Sequence, residues 1–142
     1  MISFTYLFDN ISDSLNEPFN KTWIKKVIVS EKKKLGAIQY IFCDDNYLLK
    51  INRTYLNHDT LTDIITFSTS DSKEIISGEI YISIERITEN AIVQSSSFND
   101  ELSRVIIHGV LHLVGYDDHC DNDKKIMRSK EDYYLLLQTG LF

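Results

Sequence analysis

The run His108-Gly109-Val110-Leu111-His112-Leu113-Val114-Gly115-Tyr116-Asp117-Asp118-His119 carries three of the chain's four histidines. His108 and His112 stand four apart, so on a helix they project from one face, one turn from each other. Two imidazoles in that relation can share one metal ion. Gly115 tolerates the left-handed backbone that ends a helix. The chain can therefore double back and bring Asp118 or His119 to the same ion. This reads as a transition-metal site for one ion per chain, zinc first, although nickel or another divalent ion suits the same ligands.

Two histidines at that spacing are weak evidence alone. The whole pattern His-x-x-x-His-x-x-Gly-x-x-Asp-His is far more specific. It has the spacing of the zinc site of metzincin peptidases, with two differences. Gly109 stands where those peptidases carry the glutamate that acts as general base, which argues against peptide hydrolysis. Asp118, not histidine, falls ten residues after His108. Equivalent spacing favours Asp118 as third ligand, whereas imidazole preference and a longer turn favour His119. Cys120 points further along the chain. Asp117 either orients a ligand histidine or simply opens the turn. Three protein ligands leave one position for water, which zinc acidifies to a pKa of about 7. A structural zinc site is usually closed by four ligands, often thiolates.

These residues need elements to hold them. Residues 2–8 alternate as a first strand, and Thr22 to Lys33, with Trp23, Val27 and Ile28, reads as an amphipathic helix. Gly36 resets the chain before a strand over Ala37–Cys43. Asp44 or Asp45 can cap a short helix through Leu48, Leu49, Ile51 and Asn52. A polar loop, Asn57 to Thr60, leads to strands Asp63–Phe67 and Gly78–Ile82. Ser83 and Asn99 are N-cap candidates for the next two helices, and a last helix runs from about Asn122 to Leu137. The expected class is α+β: a small mixed four-stranded sheet packed with about five helices, the zinc site at the end of a late helix. Residues 1–142 are expected to form one domain.

Composition narrows the setting. With 43% hydrophobic and 11% aromatic residues the chain is globular, not disordered. It has no apolar stretch of about 18 residues to span a membrane. Its start lacks the marks of a signal peptide, and Cys43 and Cys120 form no disulfide framework, so a cytoplasmic location is expected. A net charge of -6 argues against indiscriminate binding of polyanions, but not against a local basic patch. The densest basic cluster, Lys25, Lys26, Lys32, Lys33 and Lys34, reads as a solvated helix face and its exit.

The His-Gly-x-Leu-His-Leu-x-Gly-Tyr-Asp run resembles the zinc motif of the YbeY endoribonucleases, bacterial rRNA maturation factors. Ile51-Asn52-x-x-Tyr55, Thr62-Asp63-Ile64-Ile65-Thr66-Phe67 and Gly78-Glu79-Ile80-Tyr81-Ile82-Ser83 resemble further segments of that family, in the same order. The resemblance implies a hydrolase of single-stranded RNA acting in 16S rRNA 3′-end maturation and ribosome quality control. Its partners would be rRNA and the small ribosomal subunit. It implies His108 and His112 as metal ligands and Asp118 at the third position, where family members commonly have histidine. Many members also carry an arginine where this chain has Leu56. Arg53 and His58 are the nearby candidates to supply that charge to a phosphate, and Asp63 and Asp117 are candidates for the base. The rival reading is a non-catalytic assembly factor whose zinc is structural.

Overall fold

The computed structural model describes residues 1–7 and 15–140. In chain order the elements are β1 (Ile2–Tyr6), α1 (Glu17–Ser30), β2 (Lys34–Cys43), α2 (Asp45–Leu56), β3 (Ile64–Ser68), β4 (Ile75–Ser83), α3 (Ile84–Val93), α4 (Phe98–Val114) and α5 (Asp121–Gly140). The α+β class with four strands and five helices is as expected from the sequence.

Period-2 patterning builds the sheet. Ile2, Phe4 and Tyr6 of β1, Ile38, Tyr40 and Phe42 of β2, and Ile76, Ile80 and Ile82 of β4 belong to one core with α1 and α4. On the opposite face Cys43, Ile65, Phe67 and Tyr81 pack with Leu48 and Ile51 of α2. The strand order is β1-β2-β4-β3. The first three run parallel, and β3 pairs antiparallel with β4, Ile64 opposite Ile82 and Ser68 opposite Gly78. Among the described residues β3 is therefore an edge strand, with one side of its backbone unpaired by another strand.

Several boundaries differ from the sequence reading. α1 begins at Glu17, five residues before Thr22, because the Asn16 side chain accepts from the Phe19 N–H and Pro18 suits a first turn. It ends at Ser30, before Lys33. Gly36 does not reset the chain but lies within β2, beside a register shift between Leu35 and Ile38. The N-cap of α4 is Ser97, whose hydroxyl accepts from the Asp100 N–H, and Asn99 lies inside the helix. β1 stops at Tyr6; residue 8 of the expected strand lies outside the described residues.

Two contacts set α4 against the sheet. The Tyr40 hydroxyl donates to the buried Ile106 carbonyl at 2.9 Å. A Cβ on Gly109 would lie 2.9 Å from Ile80 Cγ2 and 3.0 Å from Ile64 Cδ1. Position 109 must thus be small for the helix to lie this close. The glutamate of the metzincin pattern is missing for a packing reason: this side of α4 faces the sheet, not a groove.

Candidate metal centre

His108 and His112 lie in the last two turns of α4, and their side chains are about four-fifths and three-quarters buried. Their rings meet edge to face, with Nε2 atoms 3.0 Å apart. Gly115, at φ 126°, ends the helix; its N–H donates to the His112 and Leu111 carbonyls, and the Tyr116 N–H donates to Leu111 as well. The reversed chain brings Asp118 Oδ2 to 3.4 Å from His108 Nε2 and 3.5 Å from His112 Nε2.

Three donor atoms separated by 3.0, 3.4 and 3.5 Å make a triangular face. Tetrahedral zinc with bonds of about 2.0–2.1 Å separates its ligand atoms by about 3.3–3.4 Å, so the donor set fits such an ion in both chemistry and spacing. Of the two alternatives for third donor, the turn directs Asp118 to the histidines. His119 lies on the rim of the same cleft and not in the donor group, its side chain 84% exposed and 3.7 Å from Asp117. Asp117 accordingly faces His119, not a histidine of the cluster. Cys120 Sγ accepts from the Asp123 N–H at the start of α5.

Sequence reasoning missed the group that holds His108. Glu131 of α5, a nearly buried carboxylate, accepts from His108 Nδ1 at 2.6 Å. In the neutral ring that donates Nδ1–H to Glu131, Nε2 carries the lone pair and faces His112 and Asp118. Glu131 also accepts from Arg104 Nη1 at 2.9 Å, while Arg104 Nη2 donates to Asp132 at 2.8 Å. Burial works to lower the His108 pKa, but the bond to Glu131 and the charges of Glu131, Asp118 and Asp63 raise it above the ordinary imidazole value. Burial and the neighbouring His108 instead lower His112, which keeps it neutral and available as a donor. A partial signal was present, since Arg104 and His108 share one face of α4 at i, i+4. Nothing local pointed to Glu131, 23 residues beyond His108.

The turn itself is anchored at a distance. The Glu31 carboxylate, just after α1, accepts from the Tyr116 hydroxyl at 2.6 Å, from Lys130 Nζ at 3.1 Å and from the Tyr134 hydroxyl. Burial alone would raise the Glu31 pKa, but these bonds and the Lys130 charge hold it below the ordinary carboxylate value.

Two grooves meet at the cluster. The larger, about 610 Å³, runs along the open edge of β3 and the loop before it, past Leu56, His58, Leu61 and Thr66. The smaller, about 290 Å³, lies between α4 and α5. Asp63, His108 and Asp118 line both. Burial raises the Asp63 carboxyl pKa against the opposing pull of His108, and the Asp63 carbonyl accepts from the Ser83 N–H at 2.9 Å. Buried Asn52 shapes the loop between them, donating to the Thr60 carbonyl and receiving the His58 N–H on its own carbonyl. Of the sequence candidates for a phosphate contact, His58 lines the larger groove. Arg53 lines neither groove and donates to Asp59.

Comparison with known proteins shows what the chain is similar to. A family model described as Endoribonuclease YbeY matches residues 8–138. A protein of Flavobacterium psychrophilum named Endoribonuclease YbeY is 56% identical over 137 residues, covering 96% of each chain. A protein of the same name from Flavobacterium johnsoniae is 53% identical and covers 93% of each. Among solved structures, the solution structure of TM1509 from Thermotoga maritima superposes with a TM-score of 0.71 at 27% identity, covering 99% of this chain and 90% of that one.

Proposed function

The chain belongs to the endoribonuclease YbeY family, and from that premise we propose that it is a zinc-dependent endoribonuclease that cleaves single-stranded RNA in the maturation of rRNA. We take residues 1–142 as one metal-dependent hydrolase domain, with His108 Nε2, His112 Nε2 and Asp118 Oδ2 holding a single ion. The observation that carries this reading is a three-donor face that lines the larger open groove, with His108 and Asp118 also lining the smaller one, not a closed four-ligand cage. Asp118 keeps 38% of its side chain exposed there, so an RNA backbone has access to the cluster. The structural-zinc alternative is not favoured on that ground. In the described residues no helix is long and apolar enough to cross a membrane.

When bound, zinc supplies Lewis acidity and a water acidic enough to attack near neutral pH. The chain's own residues supply the rest. Glu131 and Arg104 hold the His108 ring in one tautomer and one orientation. Asp63, at the junction of the grooves, takes the proton of the attacking water at its carboxylate. Its raised pKa brings it nearer to the working pH of a general base. The water oxygen bonds to phosphorus, the bond from phosphorus to the ribose oxygen breaks, and that oxygen takes back the proton held by Asp63. His58, on the groove wall, contacts the phosphate chain in place of the family arginine absent at Leu56; Arg53 reaches it only by releasing Asp59. The small ribosomal subunit is the setting in which an rRNA end meets this groove, in the cytoplasm.

The test is cleavage of a single-stranded rRNA 3′-end fragment by wild type and His112→Ala, with metal measured on both. Cleavage by the wild type alone, in proportion to bound zinc, supports the reading. Equal cleavage by metal-stripped protein overturns the metal's role, and bound zinc without cleavage overturns the nuclease.

A further inference from the structure

The walls of the two grooves differ in one respect that bears on a polyanion. The sixteen residues lining the larger groove include no lysine or arginine. The smaller groove has three: Arg104, Lys124 and Arg128. They are not equivalent. Arg104 is only 20% exposed and spends its guanidinium on Glu131 and Asp132. Arg128 is 57% exposed, with Glu131 no nearer than 4.0 Å, and Lys124 is exposed without an ion pair among the described residues.

Lys124 and Arg128 are four apart on α5, so they stand one turn from each other on one helix face. Like charges at that spacing repel, and an anion between them removes the repulsion. The floor of the same groove is acidic, with Asp63, Glu101, Asp118 and Glu131. Glu131 is already matched by Arg104 and His108, and Asp118 faces the metal position. A phosphate therefore finds favourable charge at the α5 rim, not on the floor. From there the groove leads directly to His108 and Asp118.

We infer that Lys124 and Arg128 form a phosphate-binding subsite that holds the backbone of single-stranded RNA on the α5 side of the metal centre. Resting on the nuclease reading, this supplies from α5 the positive charge that Leu56 cannot offer on the other side. The larger groove, with no lysine or arginine on its walls, then receives the remainder of the strand. The bland reading of this pair, a solvated helix face, makes no demand on RNA binding.

The experiment is kcat/KM for a labelled single-stranded RNA oligonucleotide as a function of KCl, using zinc-loaded protein. Removing one phosphate-binding cation from a single-strand complex flattens a log–log salt dependence by about 0.7, so Lys124→Ala/Arg128→Ala should flatten it by about 1.4. The loss should fall on KM, with kcat and zinc content held. Lys124→Arg/Arg128→Lys, which keeps both charges, should retain the wild-type slope. Lys25→Ala/Lys26→Ala, on α1 and lining neither groove, should also leave it unchanged. A double alanine variant with wild-type slope and KM overturns the subsite while the nuclease stands. If the wild type itself fails to cleave, the nuclease reading falls. Fluorescence anisotropy of the same RNA on the same protein then decides the subsite: a flattened slope in the double variant upholds it, and an unchanged slope or no binding overturns it.

Discussion

Glu131→Ala is expected to weaken zinc binding through His108 without touching the metal position. The carboxylate accepts from His108 Nδ1 at 2.6 Å and is itself held by Arg104 at 2.9 Å. Its removal frees the ring to rotate and allows the other tautomer, whose Nε2 carries a proton and cannot bind a metal. Loss of such a partner typically lowers metal affinity about 10- to 100-fold, or about 1.4 to 2.7 kcal/mol. The metal-free fold should suffer separately. Breaking a buried ion pair costs about 3–5 kcal/mol. Arg104 keeps Asp132 at 2.8 Å and is 20% exposed, which places the expected loss at about 2–3 kcal/mol. Glu131→Gln retains an amide oxygen for Nδ1–H and should lose less on both counts. Competition with a chromophoric chelator gives the zinc affinity, and urea unfolding of metal-free protein gives the stability. Unchanged zinc affinity in Glu131→Ala, with stability reduced, would refute the reasoning and leave Glu131 as a partner of Arg104 alone.

Asp118→Ala should lower zinc affinity far more than His119→Ala, because Asp118 Oδ2 faces both histidines whereas His119 is 84% exposed; a zinc titration of both variants decides, and the reverse order would reassign the third ligand. Gly109→Glu, which restores the glutamate of the metzincin motif, should create no peptidase and destabilise the fold by about 3 kcal/mol or more, because its side chain is driven against Ile80 and Ile64. Urea unfolding and a peptide-cleavage assay check this, and a stable, active variant would show the position open. The folded pKa of Glu31 lies below its ordinary 4.5, so its contribution is full above about pH 4.5 and is lost as pH falls through the lower, folded value. Glu31→Gln should thus lower stability by about 2–4 kcal/mol at neutral pH, and the gap from wild type should shrink below pH 4.5 in melts of metal-free protein. A gap that widens on acidification would reverse the assignment.

How far the sequence alone reached depends on how local each feature is. The His108–His112 pair was legible because helix geometry converts a spacing of four into a shared face whatever the rest of the chain does. The same holds for the alternation of β1, for Ser83 as a cap, and for Gly115 as the end of α4; of Asp44 and Asp45, both read as cap candidates, Asp44 is the cap of α2. Gly36 misled because a glycine marks a break and a strand irregularity alike, and only pairing with β4 tells them apart. Asn99 misled because several cap-forming residues, Ser95, Ser96, Ser97 and Asn99, stand close together, and it is the Ser97 hydroxyl that accepts from the Asp100 N–H.

What tertiary structure alone decided is non-local. The path of a short turn after Gly115, anchored through Tyr116 to Glu31 just past the end of α1, separates Asp118 from its neighbour His119. Packing of α5 against α4 brings Glu131 to His108 and leaves Lys124 and Arg128 along the groove. Packing of α4 against the sheet explains why residue 109 is glycine. Sequence periodicity determines which face a residue occupies on its own element, through the fixed pitch of helix and strand. Which faces then meet depends on the crossing angles and depths at which whole elements pack, and no single segment of sequence encodes those.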